Sequence, residues 1–233
     1  MKLLFIALLC LFKHATGFAQ LASSEYTYPN PNYNNFIIGS NAFPLSRGEL
    51  RYQSGLLLFN TLDIGTTNHF STKIGFLLPI FGEGSGNFFV NPRLLFPVEE
   101  EFYIGIGNYT LVIENGFGTF FYGTATVGNK SSHVSLSFGY GLAEGDFSEQ
   151  PIVSIAAQHR LTDKLALITE NWYSPTNDDD ILLSGIYSYG IRLINKRVTF
   201  DFIFANNDEL VDAFPIGIPL INFTTTFGKR DKQ

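Results

Sequence analysis

The sequence has 233 residues, of which 15% are charged and 15% aromatic, and its formal net charge is −6. A soluble domain usually carries about 25% charged residues, so this chain is short of the side chains that cover a water-exposed surface. The acidic balance argues against nucleic acid as a partner, and the single cysteine excludes an internal disulfide framework.

Residues 1–19 have the features of a secretory signal peptide. Lys2 precedes an apolar run, and Gly17-Phe18-Ala19 forms a small-x-small cleavage motif. The run is too short to span a bilayer as a helix. We therefore expect cleavage after Ala19, export from the cytoplasm, and a single mature domain over residues 20–233.

Two alternatives for the N-terminus remain open. The segment is either an uncleaved buried element, or a lipoprotein signal with Cys10 as the modified residue. The lipoprotein alternative is disfavoured because Leu9 stands where such a site needs a small residue.

Alternation of apolar and small or polar residues recurs along the rest of the chain. Over residues 133–141 the even positions are Val, Leu, Phe and Tyr, while most odd positions are Ser or Gly. Strand side chains point to opposite faces in turn, so this period predicts β-strands. Twelve candidates follow in chain order: 33–40, 49–64, 69–80, 88–97, 102–113, 117–128, 132–143, 151–160, 164–174, 182–194, 197–205 and 216–227.

The predicted connections alternate in length. Short ones are 65–68, 98–101, 129–131, 161–163 and 195–196, and longer ones are 41–48, 81–87, 141–150, 174–181 and 206–215. The short connection at 114–116 interrupts the alternation. Strands of about ten residues with this loop pattern predict an all-β, antiparallel transmembrane β-barrel of about 12 strands (10–12), with both termini in the periplasm.

The last predicted strand ends in alternating aromatic residues, Asn222 to Phe227, followed by a polar tail. This ending resembles the C-terminal signal of outer-membrane barrels. Phe43-Pro44-Leu45 with 48–53, Thr169–Tyr173 and Phe227-Gly228-Lys229 also resemble uncharacterised outer-membrane barrel proteins of Bacteroidetes-type bacteria. The resemblance implies a barrel fold and an outer-membrane location, and it implies no activity.

The alternation of side chains along each predicted strand assigns a set of charged residues to the inner face of the barrel. They are Glu49, Arg51, Asp63, Lys73, Arg93, Glu170, Arg192 and Asp201. Charge in a narrow interior is costly unless paired, so equal numbers of acids and bases predict an internal network of ion pairs. A selective channel lining is the alternative. Large residues (Tyr103, Tyr109, Phe120, Tyr122) among glycines on this face favour a filled, narrow barrel.

The longer connections are acidic. They carry Glu83, Glu114, Glu144, Asp146, Glu149, Asp178, Asp179, Asp180, Asp208, Glu209 and Asp212, with Arg47 nearly the only base expected on that side. Such a mouth could concentrate cations or bind a divalent cation. No calcium-loop spacing is present, and a solvated set of loops is the favoured interpretation. The sequence predicts no cofactor and no defined metal site.

His133 and Ser135 are the weak catalytic candidates. They share one strand face in the order His-x-Ser, a pair that some outer-membrane lipid-modifying hydrolases use as base and nucleophile. Glu144 or Asp146 would have to supply the orienting acid. We expect instead a non-enzymatic barrel in contact with outer-membrane lipid, narrow or closed, either structural or a small-solute channel. The hydrolase and a soluble periplasmic β-sandwich or lipocalin-like binder are the alternatives.

Overall fold

The computed structural model describes residues 26–56, 59–77, 87–113, 116–143, 145–174, 185–208 and 210–228. The regular structure of these residues is β-strand throughout. The strands are β1 (Leu50–Gly55), β2 (Phe59–Gly65), β3 (Phe70–Leu77), β4 (Asn87–Glu99), β5 (Phe102–Ile113), β6 (Gly116–Gly128), β7 (His133–Ala143), β8 (Asp146–Phe147), β9 (Ile152–Thr162), β10 (Leu165–Tyr173), β11 (Ile186–Ile194), β12 (Val198–Asn206) and β13 (Ile218–Phe227).

The strands form one closed antiparallel barrel. Each pairs with its neighbours along the chain, β1 pairs with β13, and β7 pairs with both β6 and β9. The two-residue β8 pairs with the end of β7, past the part of β7 that pairs with β9, and is not a strand of the wall. The wall therefore has twelve strands, as the sequence predicts, and closure leaves no unpaired edge.

No helix in the described part of the chain is long and apolar enough to cross a membrane.

Alternation divides each strand into an inner and an outer face. In β3, Ser71 and Lys73 on the inner face are almost fully buried, whereas Phe76 on the outer face is 47% exposed. The same division runs round the barrel, with charged and polar residues inside and Phe, Leu, Ile and Tyr outside. A soluble lipocalin-like binder would need the opposite arrangement, so the architecture does not support that alternative.

Two strand predictions are wrong, but the errors cancel in the count, so the predicted number of twelve wall strands is correct. The predicted strand 49–64 is two strands, β1 and β2, joined by a hairpin at Leu56, whose φ is 50°. The predicted strand 33–40 is not part of the wall and forms only the isolated bridge between Asn35 and Ser40. The sequence gives little sign of this hairpin, because four apolar residues follow Gly55 and the charged residues Arg51 and Asp63 on either side are both at odd positions.

The two ends of the barrel differ. The turns after β2, β4, β6, β9 and β11 are short and lie at one end, called here the short-turn end. The opposite end, the long-loop end, carries the connections 143–152 and 206–218 among others. Arg47, predicted on the long-loop side, lies at the short-turn end, where its backbone N–H donates to Asn68.

Residues 26–45, called here the plug, fill the interior of the barrel. Tyr26 lies at the short-turn end, where its hydroxyl donates to the carbonyl of Arg160. The chain then enters the lumen, turns near Gly39, where the N–H of Phe36 donates to the Gly39 carbonyl, and returns to begin β1. Phe36 and Ile37 pack against Ala156, Ile168 and Ile203 of the wall. Residues 41–45 of the predicted connection 41–48 are therefore the returning limb of the plug, and the connection is not a loop of the long-loop end.

Candidate functional site

The plug is held deepest in the lumen by Glu170 of β10. The backbone N–H groups of Ile37, Ile38 and Gly39 each donate a 2.7 Å hydrogen bond to its carboxylate. The indole N–H of Trp172 adds a fourth at 2.8 Å. Hydrogen bonds to an ionised carboxylate are stronger than those between neutral groups. Four N–H donors therefore stabilise the buried Glu170 carboxylate without an ion pair among the described residues.

Arg192 of β11 binds the other side of the same turn through carbonyl groups. Its guanidinium donates to the carbonyls of Asn32 at 2.6 Å, Asn35 at 3.1 Å and Phe36 at 3.3 Å. It is fixed by a bidentate ion pair with Asp201, with distances of 2.8 and 2.9 Å. The planar guanidinium suits this combination of bidentate pairing and carbonyl binding.

A second buried group of charges surrounds Asp63 of β2. Arg93 donates to its Oδ1 at 2.9 Å, and the side-chain amide of Asn35 in the plug donates to Oδ2 at 3.0 Å. Lys73 donates to Asn35 Oδ1 at 2.9 Å and to the hydroxyl of Ser40 at 3.1 Å. Asn35 therefore connects an acid and a base of the wall through one amide side chain.

Glu49 and Arg51 form the third ion pair, at 2.9 Å, near the point where the plug leaves the lumen. Tyr33 of the plug donates its hydroxyl to Glu49 Oε2 at 3.2 Å and lies beneath the Arg51 guanidinium, 4.8 Å from ring centre to Cζ. Burial raises the pKa of the Tyr33 hydroxyl, and the neighbouring Glu49 carboxylate raises it further.

All eight charged residues assigned to the inner face by parity are buried. Three acid–base pairs form, namely Arg51–Glu49, Arg93–Asp63 and Arg192–Asp201. Glu170 and Lys73 instead bind the plug. The pairs do not make one continuous network, because neutral groups of the plug, above all Asn35, lie between them.

Arg160 and Gln158 are two buried wall residues that the sequence analysis missed. Arg160 donates to the carbonyl of Tyr28 at 2.9 Å and stacks on the Tyr26 ring at 4.2 Å. Gln158 accepts from Asn30 and from Arg192. Both stand at even positions, as Ser154 does, and therefore lie with it on the inner face of β9. This alternation is the sequence feature that identifies them as lumen residues.

The plug is also fastened outside the wall strands, in the turn between β9 and β10. Asp163 accepts a hydrogen bond from the Thr27 hydroxyl at 2.5 Å and one from the Thr27 N–H at 3.1 Å. These two bonds hold the pKa of the Asp163 carboxyl below its usual value, since they favour the charged form.

Aromatic side chains fill the lumen beyond the turn of the plug. Tyr122 stacks between Tyr109 and Phe120, with ring centres 5.5 and 5.6 Å apart, and Phe120 meets Trp172 edge-on. Gly107 makes room for Tyr122, since a Cβ there would lie 2.8 Å from the tyrosine hydroxyl. The space left between Ser40, Tyr109 and Glu170 is a cavity of about 10 Å³, enough for about one water.

The side chains of His133 and Ser135 are hydrogen-bonded to other residues and not to each other. His133 Nδ1 lies 3.0 Å from the carbonyl of Asn129, and Nε2 lies 3.0 Å from the amide nitrogen of Asn41. The Ser135 hydroxyl is 2.7 Å from that of Thr126. Asp146 lies beyond the opposite end of β7 from His133, and Glu144 is outside the described residues. The geometry therefore assembles no nucleophile–base–acid arrangement here.

Most of the acidic loop residues fall outside the described part of the chain, namely Glu83, Glu114, Glu144, Asp178, Asp179, Asp180 and Glu209. Asp146, Glu149, Asp208 and Asp212 are described and are exposed at the long-loop end. Among the described residues no cluster of three or more potential metal ligands occurs.

No protein-family model matches the chain, and no curated protein matches it. Solved structures do. A structure described as "KdgM porin" aligns with a TM-score of 0.55 at 10% identity, covering 78% of this chain and 99% of that one. The same porin "in complex with disordered oligogalacturonate" gives 0.52 at 9% identity, covering 77% and 95%. A NanC porin structure gives 0.51 at 10% identity, covering 78% and 99%.

The fold is porin-like. At these identities the likeness concerns the barrel alone, and it supports the predicted 12-stranded architecture. What distinguishes this lumen has to be argued from its own residues, and the dominant feature is the hydrogen-bonded plug.

Proposed function

We propose that the chain is a porin-like barrel of the bacterial outer membrane whose bore is closed by its own N-terminal segment. Solutes do not pass while the plug is seated, and any small-solute passage requires the plug to leave. The observation that carries the proposal is the set of hydrogen bonds between the plug and the wall, centred on Glu170 and Arg192.

The outer surface supports a membrane location. Large apolar side chains stand exposed on strands around the barrel, for example Phe88, Ile106, Phe138 and Phe202, each more than 40% exposed. A surface of this kind is unfavourable in water, and a bilayer is the solvent that matches it. The signal peptide proposed over residues 1–19 and the likeness to porins are consistent with the outer membrane.

The orientation follows from the difference between the two ends. Outer-membrane barrels place short turns in the periplasm and longer loops outside, so the short-turn end faces the periplasm in this proposal. Cleavage after Ala19 would leave residues 20–25 before Tyr26, which lies at that end. The plug is then inserted from the periplasmic side.

Membrane fractionation and planar-bilayer recording test the proposal together. The mature chain should fractionate with the outer membrane and give no large, steady conductance steps. Recovery as a soluble periplasmic monomer would contradict the location, and steady conductance of the wild-type barrel would contradict closure.

A variant of the plug seat sharpens the conductance test. Glu170→Gln replaces one acceptor oxygen with an amide donor, so it weakens the seat of Ile37, Ile38 and Gly39 and should produce frequent openings. Glu149→Gln makes the same chemical change at an exposed residue of the long-loop end, and its recordings should match the wild type.

A further inference from the structure

The wall binds the backbone of the plug as well as its side chains. The carbonyls of Tyr28, Pro31, Asn32, Asn35 and Phe36 accept hydrogen bonds from wall side chains, and the N–H groups of Ile37, Ile38, Gly39 and Ala42 donate to wall side chains. These groups belong to every peptide, so this part of the seat does not depend on the identity of the plug's side chains.

Two arginines of the wall near this seat are already paired with carboxylates of the wall. Arg192 is paired with Asp201, and Arg93 with Asp63. Glu170 is satisfied by N–H donors, and residues 26–45 contain no charged side chain. A ligand that fits the same place therefore offers neutral donors and acceptors in alternation, as a peptide backbone does.

We propose that the inner wall around Glu170 and Arg192 is a binding site for an extended, uncharged peptide. The plug occupies it in the closed barrel, and a separate peptide of the same kind takes the site when the plug leaves. This inference rests on the proposed function, because it requires a plug that can leave the lumen.

Gly39 sets the selectivity of the site. A Cβ at this position would lie 2.6 Å from Glu170 Oε1 and 3.1 Å from the Trp172 ring. The carboxylate is fixed by four donors, three of them from the plug, so it cannot move aside without losing some of these bonds. The site therefore requires glycine where the backbone passes Glu170.

Peptide block of a loosened barrel tests the inference. In a full-length Gly39→Ala chain the plug is seated poorly, and planar-bilayer recordings should show openings. A synthetic peptide of residues 26–45 should close them again. Equal block by the same peptide carrying Gly39→Ala should require about tenfold higher peptide concentration, which corresponds to about 1.4 kcal/mol in binding free energy. A scrambled peptide of identical composition is the control for non-specific block.

A second variant, Asn35→Ala, allows the same experiment if the Gly39→Ala chain does not fold. Asn35→Ala removes the amide contacts of the plug to Asp63 and Lys73, whereas the contacts of the plug to Glu170 and Arg192 do not involve this side chain. The same three peptides should rank in the same order on this barrel.

Several outcomes would overturn the inference. Openings that no peptide blocks would remove the peptide site while leaving closure by the plug intact. Equal block by the wild-type, Gly39→Ala and scrambled peptides would remove its selectivity. Block by a neutral oligosaccharide such as maltohexaose, with none by the peptide, would assign the site to a different ligand class. Steady conductance of the wild-type chain would instead refute the proposed function.

Discussion

The N–H of Gly39 donates a 2.7 Å hydrogen bond to Oε1 of Glu170, and a Cβ added at Gly39 would lie 2.6 Å from that same oxygen. At this contact the plug presents a residue without a side chain to the wall. This contact makes the seat of the plug tight and also makes it sensitive to a single methyl group.

The first prediction concerns that methyl group. Gly39→Ala should destabilise the seated plug by about 1–3 kcal/mol, the usual cost of overpacking a filled interior. Hydrogen exchange of the Ile37, Ile38 and Gly39 amides should accelerate accordingly. Gly116→Ala is the control, because a Cβ there meets nothing within 4 Å. Unchanged exchange in Gly39→Ala would show that the carboxylate of Glu170 yields without cost.

The second prediction concerns the buried ion pair between Arg93 and Asp63. Arg93→Leu should lower the free energy of unfolding in detergent by about 3 kcal/mol, because it leaves a buried carboxylate without its paired guanidinium. Arg47→Leu removes an exposed arginine and should change stability by less than about 0.5 kcal/mol. An Arg93→Leu barrel as heat-resistant as the wild type would contradict a stabilising pair.

The alternation of residues along the sequence predicts which side chains face inward wherever a strand separates the lumen from the outer surface. It placed Glu49, Asp63, Arg93 and Arg192 on the inner face, where all four are buried. Which carboxylate meets which guanidinium depends on register between strands, as in the opposition of Arg192 and Asp201 across β11 and β12. One sequence gives the faces of each strand but does not give the register.

The plug could not be recognised from the same pattern. Residues 33–40 contain several apolar residues and resemble a weak strand, but in the structure nearly all of them are buried, and inner and outer faces do not exist there. The signal that remains in the sequence is chemical. Residues 26–45 have no charged side chain and are rich in asparagine, a composition suited to binding charged wall residues through neutral amides.

The third prediction concerns His133 and Ser135. Because each is hydrogen-bonded to a residue other than its proposed catalytic partner, the wild-type barrel and a Ser135→Ala variant should hydrolyse phospholipid in mixed micelles at the same background rate. A measurable activity in the wild type that Ser135→Ala abolishes would favour the hydrolase alternative over the closed barrel.

The fourth prediction concerns the contact between Thr27 and Asp163. The pKa of the Asp163 carboxyl is lowered in the folded chain, so this contact is fully present above the ordinary aspartate pKa of about 3.9 and is lost as the pH falls through the lowered value. Carbon NMR of the carboxyl should report a pKa below 3.9. Thr27→Ala removes the hydroxyl donor and should raise that pKa, whereas an unchanged value would show that the backbone N–H alone determines it.

The last prediction concerns ion preference once the plug is loosened. Asp146, Glu149 and Asp212 are exposed at the long-loop end, and their negative potential should concentrate cations at that mouth. A Gly39→Ala barrel should therefore prefer cations when dilute salt bathes the long-loop end. The preference should weaken at high salt, because the screening length falls from about 30 Å at 0.01 M to about 3 Å at 1 M.

Charge variants identify the source of that preference. Asp146→Asn combined with Asp212→Asn should shift the reversal potential toward zero in the dilute-salt arrangement. Glu100→Gln removes an acid at the short-turn end, which concentrated salt then bathes and screens, so its effect should be smaller. Anion preference in dilute salt would contradict the role given to the acidic loops. The lumen bases Lys73 and Arg160 form no ion pair among the described residues, and such a result would mean that their positive charge outweighs the negative charge at the mouth.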